Sequence, residues 1–150
     1  VAMASGVGRT PEERYEHAME YVKLVGLEDY ADLSPVELST GMKQRLGLAR
    51  VLASQAEVLL MDEPFASLDF LTRAELQHQV LQLQQKLPRT ILLVTHQLDE
   101  ALLLGQSITV MHALGKTETF DLSHLSYPRD LENGELKDLR RAVTEACRKD

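Results

Sequence analysis

Val58-Leu-Leu-Met-Asp-Glu-Pro64 runs from four consecutive apolar residues into two carboxylates and a proline. An apolar run of that length, without alternation, suits a strand buried on both faces of a parallel sheet. The carboxylates then stand where the strand ends, and open parallel sheets bind ligands outside those ends. Asp62 can hold a magnesium ion through the ion's water shell. Glu63 can orient or deprotonate an attacking water. A strand-end turn stabilised by Pro64 explains the same residues without chemistry, and the run alone does not choose between the two.

Working outward, Ile91-Leu-Leu-Val94 reads as a second strand of the same kind, ending in Thr95-His96. Between the two, Leu71–Leu87 shows helical spacing through Leu76, Val80, Leu83 and Leu87, and Pro88 closes it. A short helix over 99–104 and a third strand over 107–111 follow. Strand, helix, strand, helix, strand is the pattern of an α/β sheet with crossover helices. Beyond it, 115–129 has room for a hairpin strand, and 135–148 reads as a terminal helix through Leu136, Leu139, Val143 and Cys147.

On the other side of the first strand, Met42, Leu46, Ala49 and Leu52 recur at helical spacing from Ser39 onward. An earlier helix is expected over 11–26, with Pro11 after Thr10 in its first turn, Glu12 and Glu13 at its positive end and Gly26 past its close. The helix start at Leu38-Ser-Thr-Gly-Met-Lys-Gln-Arg45 places Ser39 and Gly41 among unpaired N–H groups, an arrangement that favours an anion. Lys43 and Arg45 read as a solvated helix face. Ser67-Leu-Asp69, taken alone, is an N-cap for the next helix. A lone His96 at a strand end is, by itself, a hydrogen-bonding core residue.

Composition narrows the partners. The chain has 150 residues, room for one domain with a core, and its 16 cations against 23 anions give a net charge of −7. That balance argues against broad nucleic-acid binding. Cys147 is the sole cysteine, so no internal disulfide can form, and a reducing compartment follows. No apolar run approaches the roughly 20 residues that span a bilayer.

Taken in order, LSTGMKQR, VLLMDEP, SLD and VTH resemble the nucleotide-hydrolysing subunits of ATP-binding cassette transporters. The resemblance implies an α/β fold of P-loop NTPase type, with a parallel sheet, crossover helices and part of the helical signature subdomain. It divides the chain into 1–53, helical subdomain and signature helix; 54–114, the α/β core; and 115–150, a C-terminal tail. It implies nucleotide contacts from Ser39, Thr40, Gly41, Met42 and Asp69, a catalytic carboxylate at Glu63, a switch histidine at His96 and Mg2+ bound at Asp62, with ATP as the nucleotide. Thr40 departs from the family's usual glycine.

The same resemblance implies a head-to-tail dimer with a second cassette subunit, in which the signature of one chain meets ATP held by the other. Further implied partners are transmembrane permease subunits and, indirectly, a periplasmic or lipid-anchored solute-binding protein. The subunit would sit peripherally on the cytoplasmic face of the inner membrane. Leu71-Thr-Arg-Ala-Glu-Leu-Gln77, Asp99-Glu-Ala-Leu-Leu-Leu104 and Tyr127-Pro-Arg-Asp130 look like importers for nitrate, taurine and alkanesulfonates, nearest in wording to the nitrate branch. A non-transport cassette ATPase of DNA repair or chromosome maintenance, or a non-catalytic dimerisation module, are the alternatives.

The family's Gly-rich lysine loop is absent, since Gly6-Val-Gly8-Arg-Thr10 has neither its spacing nor its lysine. The expectation is therefore the C-terminal part of a longer subunit, inactive in hydrolysis by itself.

Overall fold

A computed structural model describes residues 10–54 and 56–148, so the readings made at Val1–Ala4 and Gly6–Gly8 lie outside the described residues. Those described fall into two compact units that divide between Leu92 and Leu93.

In the first unit, helix α1 (Pro11–Leu24) begins with a capping box: the Thr10 side chain accepts from Glu13 N while the Glu13 carboxylate accepts from Thr10 N. It packs against α2 (Thr40–Ala53), burying Ala18, Tyr21 and Val22 beside Leu48, Ala49, Leu52 and Ala53. Gly26 takes a φ of 65° just past α1, a left-handed turn open to glycine at little cost. Arg45, on α2, donates to the carbonyls of Val25 at 3.2 Å and Gly26 at 3.3 Å. Arg45 is thus no solvated-face residue, as its spacing suggested; it caps the carbonyl-rich end of α1.

Strand β1 (Val58–Asp62) pairs with β2 (Thr90–Val94), and α3 (Phe70–Lys86) connects them. Arg89 fixes the entry to β2 by donating to the carbonyls of Leu52 and Ser54 at the end of α2. The expectation of strands buried on both faces needs correction. Leu59 and Met61 are buried on the side where α2 packs, whereas Val58 is 54% and Leu60 69% exposed. The described residues supply one covering layer for β1, so its apolar run outnumbers the faces they bury.

The second unit holds α4 (Leu98–Leu104), β3 (Ser107–Met111), β4 (Thr117–Asp121) and α5 (Gly134–Cys147). Its core gathers Leu102, Ile108, Leu122, Leu136 and Val143. β3 pairs with β4 in antiparallel register, Ile108 opposite Phe120 and Val110 opposite Glu118. The pattern reading had made β3 a third strand of the first sheet; among the described residues it is instead half of a hairpin. The short turn Ala113–Gly115 reverses the chain there, with Leu114 at φ 59° and Gly115 at φ 74°. A tight reversal so soon after β3 favours the adjacent antiparallel partner over a distant one.

Candidate nucleotide site

The start of α2 follows from its sequence. Ser39 sits at the N-cap in extended conformation, and its hydroxyl accepts from Met42 N at 3.2 Å. The first helical carbonyl bond runs from Lys43 N to Ser39 O at 2.9 Å. Thr40 and Gly41 therefore precede the helical ladder, with N–H groups of the kind that a helix start offers to an anion. The Ser39 hydroxyl has accepted one bond and still holds its own proton to donate. Ser39 and Thr40 are exposed, and Gly41 and Met42 half-buried.

β1 delivers the two carboxylates. Asp62 is its last residue and is exposed; Glu63 is half-buried and begins the turn to α3. Glu63 has a φ of 46°, uncommon for any residue with a Cβ and disfavoured again by the following Pro64. A backbone held that way costs on the order of 1–3 kcal/mol and persists only where its surroundings fix it. Two features of the surroundings do so. Phe65 is 1% exposed and anchors the turn in the core. Gln44, from the first turns of α2, donates its Nε2 to the Glu63 carbonyl at 2.6 Å.

The same amide continues to the next loop. Gln44 Oε1 accepts from Ser67 N at 2.9 Å and from the Ser67 hydroxyl. Leu68 is buried, and its carbonyl accepts from Arg73 Nη2 at 3.0 Å. Asp69 caps α3, its carboxylate accepting from Thr72 N at 3.0 Å. Hydrogen bonding from the Thr72 side chain and then from its backbone N–H holds the Asp69 carboxyl below its ordinary value, keeping it ionised. The first unit thus brings Ser39, Gly41, Glu63 and Asp69 onto segments joined by one side chain. Sequence reading missed Gln44 although it lay inside the quoted motif, because nothing in spacing says where an amide 19 positions from its acceptor will point.

As a magnesium ligand Asp62 is one exposed carboxylate, and no cluster of three or more His, Cys, Asp or Glu exists among the described residues. That donor set fits Mg2+, which keeps most of its waters and takes further oxygens from substrate phosphates, better than a cation needing a full protein cage.

In the second unit His96 follows β2 and is exposed. Its loop is held by a polar relay: Thr95 Oγ1 donates to Glu100 Oε2 at 2.7 Å and accepts from Gln97 N at 3.0 Å. Glu100 is only 3% exposed, so a buried carboxylate on α4 fixes the residues either side of the histidine. At the other end of α4, Arg129 donates to the carbonyls of Leu102 and Gly105 and to those of Leu122 and Leu125. Its guanidinium lies 4.3 Å from the centre of the Tyr127 ring, and Tyr127 Oη donates to Leu104 O at 2.8 Å. Burial pushes the Tyr127 hydroxyl above its ordinary pKa and draws Arg129 below its own. The Tyr-Pro-Arg segment is a staple for α4, a role its spacing did not disclose.

Known proteins are similar in sequence and in fold. The family model described as ABC transporter matches residues 4–66. The chain is 51% identical over 104 residues to the glycine betaine/carnitine transport ATP-binding protein GbuA of Listeria monocytogenes, covering 69% of this chain and 26% of that protein. It is 45% identical over 107 residues to the taurine import ATP-binding protein TauB of Rhizobium johnstonii, covering 71% of this chain and 40% of that one. In structure it is similar to the ATP-binding cassette MJ0796 in a dimeric post-hydrolysis state bound to ADP and Pi. That match has a TM-score of 0.70 and 30% identity, and covers 79% of this chain and 51% of the solved one.

The fold is therefore that of an ABC cassette: α/β, with a parallel sheet and helices. In sequence the chain is similar to ABC transporter ATP-binding proteins, and it spans about half or less of the length of the proteins just named.

Proposed function

We propose that the chain is the signature-to-switch portion of an ATP-hydrolysing subunit that energises solute import through a membrane permease. The observation that carries this is the single connected framework, through Gln44, of an anion-ready helix start, a carboxylate in a strained turn and an aspartate-capped loop.

In this reading two subunits close head to tail over ATP. The Ser39 proton and the N–H groups of Thr40 and Gly41 in one chain meet the γ-phosphate held by the other, with Met42 completing that turn. Glu63 accepts hydrogen bonds from the attacking water and aligns it, taking its proton as the new bond to the γ-phosphorus forms and the bond to the bridging oxygen breaks, so that ADP and phosphate are released. By the family resemblance His96, on a loop fixed by Thr95 and Glu100, would contact a γ-phosphate and register its loss. Asp69, held ionised, faces the partner. Asp62 would hold Mg2+ through the ion's water shell, and the ion would supply positive charge to the phosphates. Hydrolysis reopens the dimer and moves the permease.

Gly41 supports a ligand arriving from outside the chain. A Cβ placed there would come no nearer than 3.6 Å to Ser67 O, ordinary van der Waals contact. The chain's own packing does not require glycine at that point.

Residues 1–53 would form the helical subdomain facing the permease, 54–114 the α/β core and 115–150 the tail. The assembly would lie on the cytoplasmic face of the membrane; no described helix is long and apolar enough to cross one. For the solute, relatives named for taurine and betaine import support a small polar or zwitterionic molecule. The wording at Leu71–Gln77 and Asp99–Leu104 supports nitrate, and no residue of this chain would touch the solute itself.

The test is steady-state ATP hydrolysis by the full-length subunit with Glu63→Gln. Loss of all but about a thousandth of turnover, with ATP still bound, is the expected result. Turnover near wild type would remove Glu63 from its role.

A further inference from the structure

Gln44 turns both ends of its side-chain amide to the connection that follows β1. Its Nε2 donates to the Glu63 carbonyl at 2.6 Å, and its Oε1 accepts from both Ser67 N (2.9 Å) and the Ser67 hydroxyl. These bonds cross 19 and 23 positions of sequence, from the first turns of a helix whose start is capped by Ser39. The Glu63 end is the backbone with φ of 46°, which needs an outside restraint to persist. The Ser67 end lies two residues before the Asp69 cap and beside Gly41, whose built Cβ would sit 3.6 Å from Ser67 O. A shift of the start of α2 therefore pulls on Glu63 and on the approach to Asp69 together.

We infer that Gln44 is a positioning residue that couples the two nucleotide sites of the dimer. Docking of Ser39 and Gly41 on the partner's phosphate is passed by Gln44 to Glu63, which serves the subunit's own phosphate. The inference rests on the roles given above to Ser39 and Glu63, and it adds the element joining them. Neither a carboxylate nor an aliphatic side chain can replace the amide. Glutamate has the two acceptors for Ser67 but no proton for the Glu63 carbonyl, and methionine fills the space with neither function.

The experiment compares the full-length subunit with its Gln44→Met, Gln44→Glu and Ser67→Ala variants in ATP hydrolysis at varied ATP concentration. Gln44→Met is expected to lower kcat about tenfold or more, to leave KM for ATP within roughly twofold and to bring the Hill coefficient toward one. Gln44→Glu should lose nearly as much, because the bond to Glu63 is the one it breaks. Ser67→Ala should lose less, because Ser67 N still donates. Adding Ser67→Ala to Gln44→Met should cost nothing more, the sign of a shared interaction. A merely structural glutamine would move KM and active fraction together and leave cooperativity intact.

A Gln44→Met or Gln44→Glu kcat within twofold of wild type, with cooperativity retained, overturns the inference. If Gln44→Met does not fold, Gln44→Glu decides by the same criterion. Glu63→Gln is run beside them to separate the two claims. If Glu63→Gln is dead while the Gln44 variants are active, the inference alone fails; if Glu63→Gln is active, the functional reading falls and takes the inference with it.

Discussion

Gly41 stands in the first turn of α2, where a helix with no other duty gains from alanine. Glycine there costs roughly 0.5–1 kcal/mol, and the packing around it leaves room for a methyl group. A residue that weakens its own helix without packing necessity is explained by something that must come close. Gly41→Ala should therefore raise the stability of the full-length subunit by about 0.4–1 kcal/mol in denaturant unfolding while lowering ATP turnover several-fold. Unchanged turnover with raised stability would detach Gly41 from the site. Glu63 is the converse case. Its φ of 46° is also costly, and it falls at the position to which the family resemblance gives the catalytic carboxylate. Both residues were legible from motif order. Their geometric settings were not, since neither a φ value nor the clearance around a glycine is written in spacing.

At the scale of elements, α4 is seven residues long, too short to hold itself in water, and its stability must come from what fastens its ends. The Thr95–Glu100 bond fastens one end and the Arg129 fork the other. Arginine suits this place because its planar guanidinium reaches several carbonyls at once, whereas lysine is a single flexible point charge. Arg129→Lys should therefore destabilise the protein by about 2 kcal/mol or more, measured as a lower midpoint in urea unfolding. A midpoint within error of wild type would show that the carbonyl bonds are dispensable.

The elements themselves were largely foreseeable. Helical spacing located α2, α3 and α5 to within a residue or two, because each buries one apolar stripe and ends at a capping residue or a proline. The pairing of β3 with β4 was foreseeable only in part: a hairpin strand was expected within 115–129, but not that β3 would be its partner. Five-residue strands carry no label for their neighbour, and the reversal depended on Leu114 and Gly115 both taking positive φ. The staple made by Tyr127 and Arg129 was likewise invisible, since its acceptors are backbone carbonyls without side-chain signature.

For the molecule as a whole, the match to a solved dimeric cassette covers 79% of the chain. On the proposed function the parts make a composite site: Ser39 and Gly41 would meet a phosphate that Asp62 and Glu63 of the same chain do not hold. The consequence is testable in the full-length subunit carrying Glu63→Gln, where ATP is bound but not consumed. Light scattering should show a monomer without nucleotide and a dimer with ATP. Adding Ser39→Arg, which places a bulky side chain at the helix start, should abolish that dimer while each monomer still binds ATP with nearly unchanged affinity. A dimer that forms equally well with Ser39→Arg, or ATP binding lost in the monomer itself, would contradict a signature that acts on the partner's nucleotide.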